Sequence, residues 1–169
     1  MTQIKGIEFS PELQQAWKDL KAKKIKGFSM KLSDDLKSIE IDTIANSWEK
    51  LISSLPEVKQ SILTYQQLFI KADVRFILYN FTYKRTVEYE VTDDCITHEK
   101  WAFLKWLPSG VPVKRKMMFS MASKPLNQEF FRTRFQWEFQ CSDLDEISAD
   151  GLLKELKKNK KFENTIQIC

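Results

Sequence analysis

The chain has 169 residues, enough for one compact domain, and its 43% hydrophobic and 12% aromatic content supplies a real core, which excludes a disordered body. Lys and Arg number 27 against 23 Asp and Glu, a formal charge of +4 with both signs interspersed, unlike the basic stripe of a typical nucleic-acid binder. No apolar run reaches about 18 residues and the opening from Met1 to Glu12 lacks an apolar signal segment, so neither export nor membrane insertion is expected.

Ser10, Pro11 and Glu12 read as N-cap, first helical residue and early acid, and Leu13, Ala16, Trp17 and Leu20 follow at helical spacing. They predict an amphipathic helix that runs into the basic LKAKKIKG stretch, with Gly27 as its stop. Phe28, Met30 and Leu32 alternate with polar residues, Ser33 to Asp35 make a turn, and Ile39 and Ile41 alternate again, which predicts an antiparallel hairpin. Trp48, Leu51, Ile52 and Leu55 form a short helix closed by Pro56. Residues 58 to 72 are apolar at helical spacing through Ile62, Tyr65, Leu68 and Phe69 and extend or follow that helix. Val74 to Tyr83 is too continuously apolar for a surface strand and reads as a central one buried on both faces. Asp93 and Asp94 mark a turn, and Lys100 to Trp106 is the neighbouring strand. Pro112 opens a helix, after which Ser123 caps a short segment with Pro125 near its start. Phe135, Trp137 and Phe139 alternate with Gln136, Glu138 and Gln140 in a one-sided strand. Ser148 caps a last helix carrying Leu152, Leu153 and Leu156, and a basic tail follows over 159–169.

The order of helix, two strands, helix, two strands, helix, strand, helix predicts an α+β domain, a mixed sheet of about five strands with helices on both faces. Chemistry is sparse. The single histidine, His98, stands at the lip of a strand, and the four glycines form no phosphate loop. Cys95, Cys141 and Cys169 lack metal-site or disulfide-framework spacing, which points to a reducing compartment. A binding module without cofactor, metal or enzymatic role is expected.

One cluster stands out. Lys114, Arg115 and Lys116 occupy the first turn of the helix at Pro112, where the macrodipole is already positive and each cation is unfavourable by roughly 0.3–1 kcal/mol. A solvated face explains them if screening is strong; a docking surface for an acidic partner explains them otherwise. Met117 and Met118 beside them suit an adaptable protein contact, although Val113, Met117 and Met121 at i, i+4 and i+8 read equally as a core stripe.

The stretch WLPSGVPVKRKMMFSMASK, 106–124, resembles the signature of the actin-depolymerising factor (ADF)/cofilin family, with Trp106, Pro108, Pro112, Lys114, Lys116, Met117 and Phe119 in register. GIEFSPELQQAW, KGFSMKLSDDLKSIEID, SWEKLISSLPE, DVRFILYNFTY and DLDEISADGLLKEL resemble the family's other segments in order, from Gly6 to about Lys158. The resemblance implies a single ADF-homology domain over 1–158, with an insert at about 58–72. It implies the gelsolin-like fold, an α/β sandwich whose central mixed sheet of five to six strands is flanked by helices on both faces.

It further implies a monomeric, non-enzymatic protein of the cytoplasm and cytoskeleton that binds G-actin and F-actin and promotes filament depolymerisation or severing, with phosphoinositides as competitors. The implied monomer contacts are Lys114, Arg115, Lys116 and Met117, joined by Gly6 and Ile7. The implied filament contacts are His98, Lys100, Lys154, Glu155 and Lys158. His98 replaces the family's usual cation, and Lys5 replaces its regulatory serine. The alternatives are a regulator of the branched-actin nucleating complex resembling glia maturation factor, against which the Trp-x-Pro and Lys-x-Lys-Met elements argue, and a phosphoinositide-binding module.

Overall fold

The computed structural model describes residues 2–4, 6–55, 72–85, 96–133, 135, 137–158 and 166–168. The helix expected over 58–72, save its last residue, and the turn at Asp93 and Asp94 lie outside the described residues. The first segments are β1 (Thr2–Ile4), β2 (Ile7–Phe9) and the helix α1 (Pro11–Lys21). Ser10 accepts the Leu13 N–H at 3.2 Å and Pro11 opens the first turn, so the capping signal read from sequence operates as expected. The helix ends at Lys21, and Lys23 takes the left-handed turn with φ of 59°, so the stop comes before Gly27. Gly27 instead begins β3 (Gly27–Leu32), pressed against Leu78 and Tyr79, where an added Cβ would lie 2.4 Å from Tyr79 Cδ2 and 2.7 Å from the Leu78 carbonyl oxygen.

A turn through Asp35 and Leu36 leads to β4 (Ser38–Ala45), and Ser47 caps α2 (Trp48–Ser53). The long strands β5 (Arg75–Arg85) and β6 (Ile96–Trp106) pair antiparallel along their full lengths. Next comes α3 (Val113–Pro125), in which Ser123 is interior and caps nothing. Pro125 has no N–H to donate to the preceding turn, and Leu126–Phe131 continues as a π-helical segment that Arg132 closes with φ of 51°. The chain ends in β7 (Trp137–Cys141), a short α4 (Leu144–Ile147), α5 (Ala149–Lys158) and β8 (Ile166–Ile168). Asp143 caps α4, and Ser148 accepts the Gly151 N–H as the expected cap of α5.

The sheet runs β1-β2-β4-β3-β5-β6-β7, with β8 paired to the far end of β5. It is mixed because β2 with β4 and β6 with β7 are parallel while the other pairs are antiparallel. The expected five strands are its body; β1, β2 and β8 are short additions. Alternation along β5 sends Phe76 and Leu78 to one face, with α1, α3 and the π-helical segment, and Ile77 and Tyr79 to the other, with α2, α4 and α5. Both faces are dry, as the apolar run from Val74 requires. Phe135 departs from the expected strand: it precedes β7 and stacks on Phe103 at 5.5 Å, across the sheet from Trp137.

Candidate docking surface

The polypeptide reaches α3 through Val111, which is buried, and Pro112, whose extended ψ of 141° sets the helix start. No side chain caps that start and its first turn contains no acid, so the positive end of the helix is left bare among Lys114 and Lys116. The inner face is anchored at two points. Phe119 is 1% exposed and stacks on Phe76 with ring centroids 4.1 Å apart, with Ala122 buried beside it.

Arg115 supplies the second anchor. Its Nε donates to Asp73 Oδ1 at 2.8 Å, and its terminal nitrogens donate to Asp73 Oδ2 and to the carbonyls of Leu32 and Ser33. Four of its five N–H groups are thereby used inside the protein. Asp73 also receives Arg75 Nη1 at 2.8 Å, and Arg75 Nε reaches Asp42 Oδ2 at 2.8 Å. A chain of two acids and two guanidiniums thus locks the start of α3 to the start of β5 and to the hairpin of β3 and β4. Burial pushes the Asp73 carboxyl up, but the hydrogen bonds from Arg115, Arg75 and the Val74 N–H outweigh it and hold the group below its ordinary value.

The outer face carries an apolar stripe. Val113, Met117 and Met121 are 72%, 60% and 63% exposed, so the stripe at i, i+4 and i+8 faces outward and does not belong to the core. Lys114 is exposed and Lys116 half-buried alongside it. Of the six residues expected to form one contact, Lys114, Lys116 and Met117 share this surface, whereas Arg115 turns inward. Gly6 is exposed at the turn between β1 and β2 with φ of +82°, but the side chain of Ile7 is 4% exposed and belongs to the core.

The second set lies across the sheet. Lys100 sits over the Trp137 ring, 5.8 Å from its centroid, and Trp137 shares a core cluster with Leu152 of α5, which exposes Lys154 and Glu155. His98 occupies β6 opposite Tyr83, and Lys158 closes α5. The sequence reading missed Asp73, Arg75, Asp42 and Met121 as parts of the site. Asp73 stands in the DVRF segment beside its partner Arg75, but its other partner, Arg115, and the Asp42 that Arg75 also reaches are far along the chain, and only the register of β3, β4 and β5 brings them together. Among the described residues no three His, Cys, Asp or Glu converge as metal ligands, and no helix is long and apolar enough to cross a membrane.

Residues 6–157 match the family profile described as cofilin/tropomyosin-type actin-binding protein. The chain is 29% identical to cofilin of Gibberella zeae over 156 residues, covering 90% of this chain and 95% of that one. In three dimensions it resembles cofilin of Streptomyces griseoflavus, with a TM-score of 0.64, 19% identity and coverage of 90% and 98%. It likewise resembles coactosin of Entamoeba histolytica, with a TM-score of 0.65, 13% identity and coverage of 94% and 99%.

Proposed function

Because the chain belongs to the cofilin/tropomyosin-type actin-binding family, we propose that it binds actin through the outer face of α3, in the cytoplasm and at the cytoskeleton. The observation that carries this reading is the stripe of Val113, Met117 and Met121, solvent-facing on a helix rigidly seated from below and bordered by Lys114 and Lys116 at a bare positive terminus. Covering a Val or Met side chain fully contributes roughly 1.5–3 kcal/mol, and these three are already partly covered, so the stripe contributes about 3–5 kcal/mol. Attraction of Lys114 and Lys116 to an acidic partner adds steering, and contact with that partner offsets the cost of cations at the helix start.

On this reading monomeric actin binds α3 with the exposed turn at Gly6. Filaments use in addition the opposite face, through Lys100, Lys154 and Glu155, with His98 and Lys158 as neighbours in sequence. Engagement of two surfaces on opposite sides of the sheet is suited to altering filament packing, from which depolymerisation and severing follow without covalent chemistry. The match to coactosin as well as cofilin means that the fold alone does not separate these outcomes. Phosphoinositide headgroups are drawn to the same lysines and compete with actin.

Sedimentation of filamentous actin with increasing amounts of the protein, scoring both partners in pellet and supernatant, tests the filament reading. A shift of actin into the supernatant supports depolymerisation; co-pelleting without such a shift restricts the activity to side binding. Absence of both removes the filament role.

A further inference from the structure

The last strand of the sheet, β7, is flanked on both faces by clefts of opposite charge. Its Cys141 carbonyl accepts the Leu107 N–H at 2.9 Å, toward β6. Backbone groups alternate in direction along a parallel strand, so Trp137 and Phe139 also address β6, and the N–H and C=O groups of Glu138 and Gln140 point away from it. No other described strand pairs with that edge.

On the α3 face, a cleft of about 550 Å³ lies between the π-helical segment and the strand, lined by Lys105, Lys124 and Arg132, with one acid, Glu138, which accepts from Asn127 Nδ2 at 3.3 Å. The buried Asn127 Oδ1 in that cleft has no hydrogen-bond donor. On the opposite face, a cleft of about 480 Å³ is lined by Asp143, Asp145, Glu146 and Glu155, with one cation, Lys154. Glu138 and Gln140, whose backbone groups face outward, line both clefts.

We propose that β7 accepts an extended peptide from a partner protein as an added strand, with acidic side chains entering the cationic cleft and basic side chains entering the acidic one. A strand added about 4.8 Å from β7 projects successive side chains to opposite faces, so the period of the two clefts and that of the peptide coincide. Main-chain bonds to Glu138 and Gln140 provide the pairing, and the clefts select a sequence that alternates in charge. A second copy of this chain is a poor occupant. Antiparallel pairing of two β7 strands about a twofold normal to the sheet aligns like faces and sets Lys105, Lys124 and Arg132 against their own copies.

The test is fluorescence anisotropy of a labelled alternating Glu-Lys octapeptide with the full-length protein at low salt, beside its block isomer in which all Glu precede all Lys. Two further alternating peptides carry N-methyl groups on the Glu amides or on the Lys amides. The alternating peptide is expected to bind at least about tenfold more tightly than the block isomer, because composition and net charge are the same and only the period differs. One methylation pattern removes binding and the other spares it, since only one set of amides faces β7. Lys124→Glu and Asp145→Lys, both at exposed positions, each weaken binding, whereas Lys114→Ala with Lys116→Ala leaves it unchanged and so separates this edge from the outer face of α3. Equal binding of the block isomer, equal effects of the two methylation patterns, or no binding of the alternating peptide overturns the proposal.

Discussion

Replacing Asp73 with Asn removes the charge at the centre of the ionic chain that seats α3 while keeping the side chain's shape. Three hydrogen bonds from guanidinium groups converge on that carboxylate, at 2.8, 2.8 and 3.1 Å. Hydrogen bonds to charged groups contribute roughly 1.5–3 kcal/mol each. The Asp73 side chain retains 22% of its exposure, against 10% for Arg75 and 14% for Arg115, so water partly replaces what is lost. Asn also keeps one acceptor oxygen. With both reductions, the expected loss of stability at pH 7 is about 2–4 kcal/mol, below the roughly 3–5 kcal/mol for breaking a fully buried pair.

The pH dependence gives a second handle. The Asp73 carboxyl is held below its ordinary value of 3.8 in the folded state, so its stabilisation is present above that value and lost as pH falls through the folded-state pKa. Urea unfolding followed by tryptophan fluorescence is expected to show a constant gap between wild type and Asp73→Asn from pH 7 to about pH 5, closing below about pH 4. A gap under about 0.5 kcal/mol at pH 7, within the usual range for surface substitutions, or one that stays flat on acidification, refutes the assignment of Asp73 as the keystone.

Further outcomes follow from the same geometry. Met117→Ser with Met121→Ser is expected to weaken actin binding about tenfold or more while leaving urea stability within about 0.5 kcal/mol, because neither side chain is buried in the free protein. Gly27→Ala is expected to destabilise by about 1–3 kcal/mol in the same unfolding assay, since its Cβ meets both Tyr79 and the Leu78 backbone. Burial and the nearby Glu146, Glu155 and Asp143 push the Cys141 thiol up to about 12. In a Cys95→Ser, Cys169→Ser background, Cys141 is expected to resist a thiol-reactive dye at pH 8 and to react on unfolding in urea; fast labelling of the folded protein would contradict this. Phe119→Ala is expected to cost about 3–5 kcal/mol by emptying the stack on Phe76.

The parts of the fold legible in the sequence were those decided locally. Ser10 with Pro11 and Ser148 before Ala149 are caps whose hydrogen bonds span three residues, so their signal survives without knowledge of the rest. The run from Val74 announced a central strand because burial on both faces suppresses alternation. Gly27 misled because glycine serves both helix ends and close packing, and only the approach of Tyr79 decides between them. Ser123 and Pro125 read locally as the start of a new segment, yet α3 runs through Ser123 and the chain continues past Pro125 by widening into a π-helical segment.

The candidate surface was half legible. Lys114, Lys116 and Met117 were marked by charge and by resemblance, but a triplet of cations does not reveal that its middle member, Arg115, turns inward to Asp73. That requires the register that brings residues 32, 33 and 73 beneath the helix. The same holds for Val113, Met117 and Met121, whose spacing fits a buried or an exposed stripe equally until Phe119 and Ala122 are seen to occupy the core.

Titration of fluorescently labelled actin monomers with the wild-type protein and with Lys114→Ala, Lys116→Ala tests most directly whether the outer face of α3 is the docking surface. Saturable binding by the wild type and a loss of at least about tenfold in the double variant, with an unchanged unfolding midpoint, is the predicted result. Wild-type affinity in a folded double variant, or no monomer binding by either protein, would contradict it.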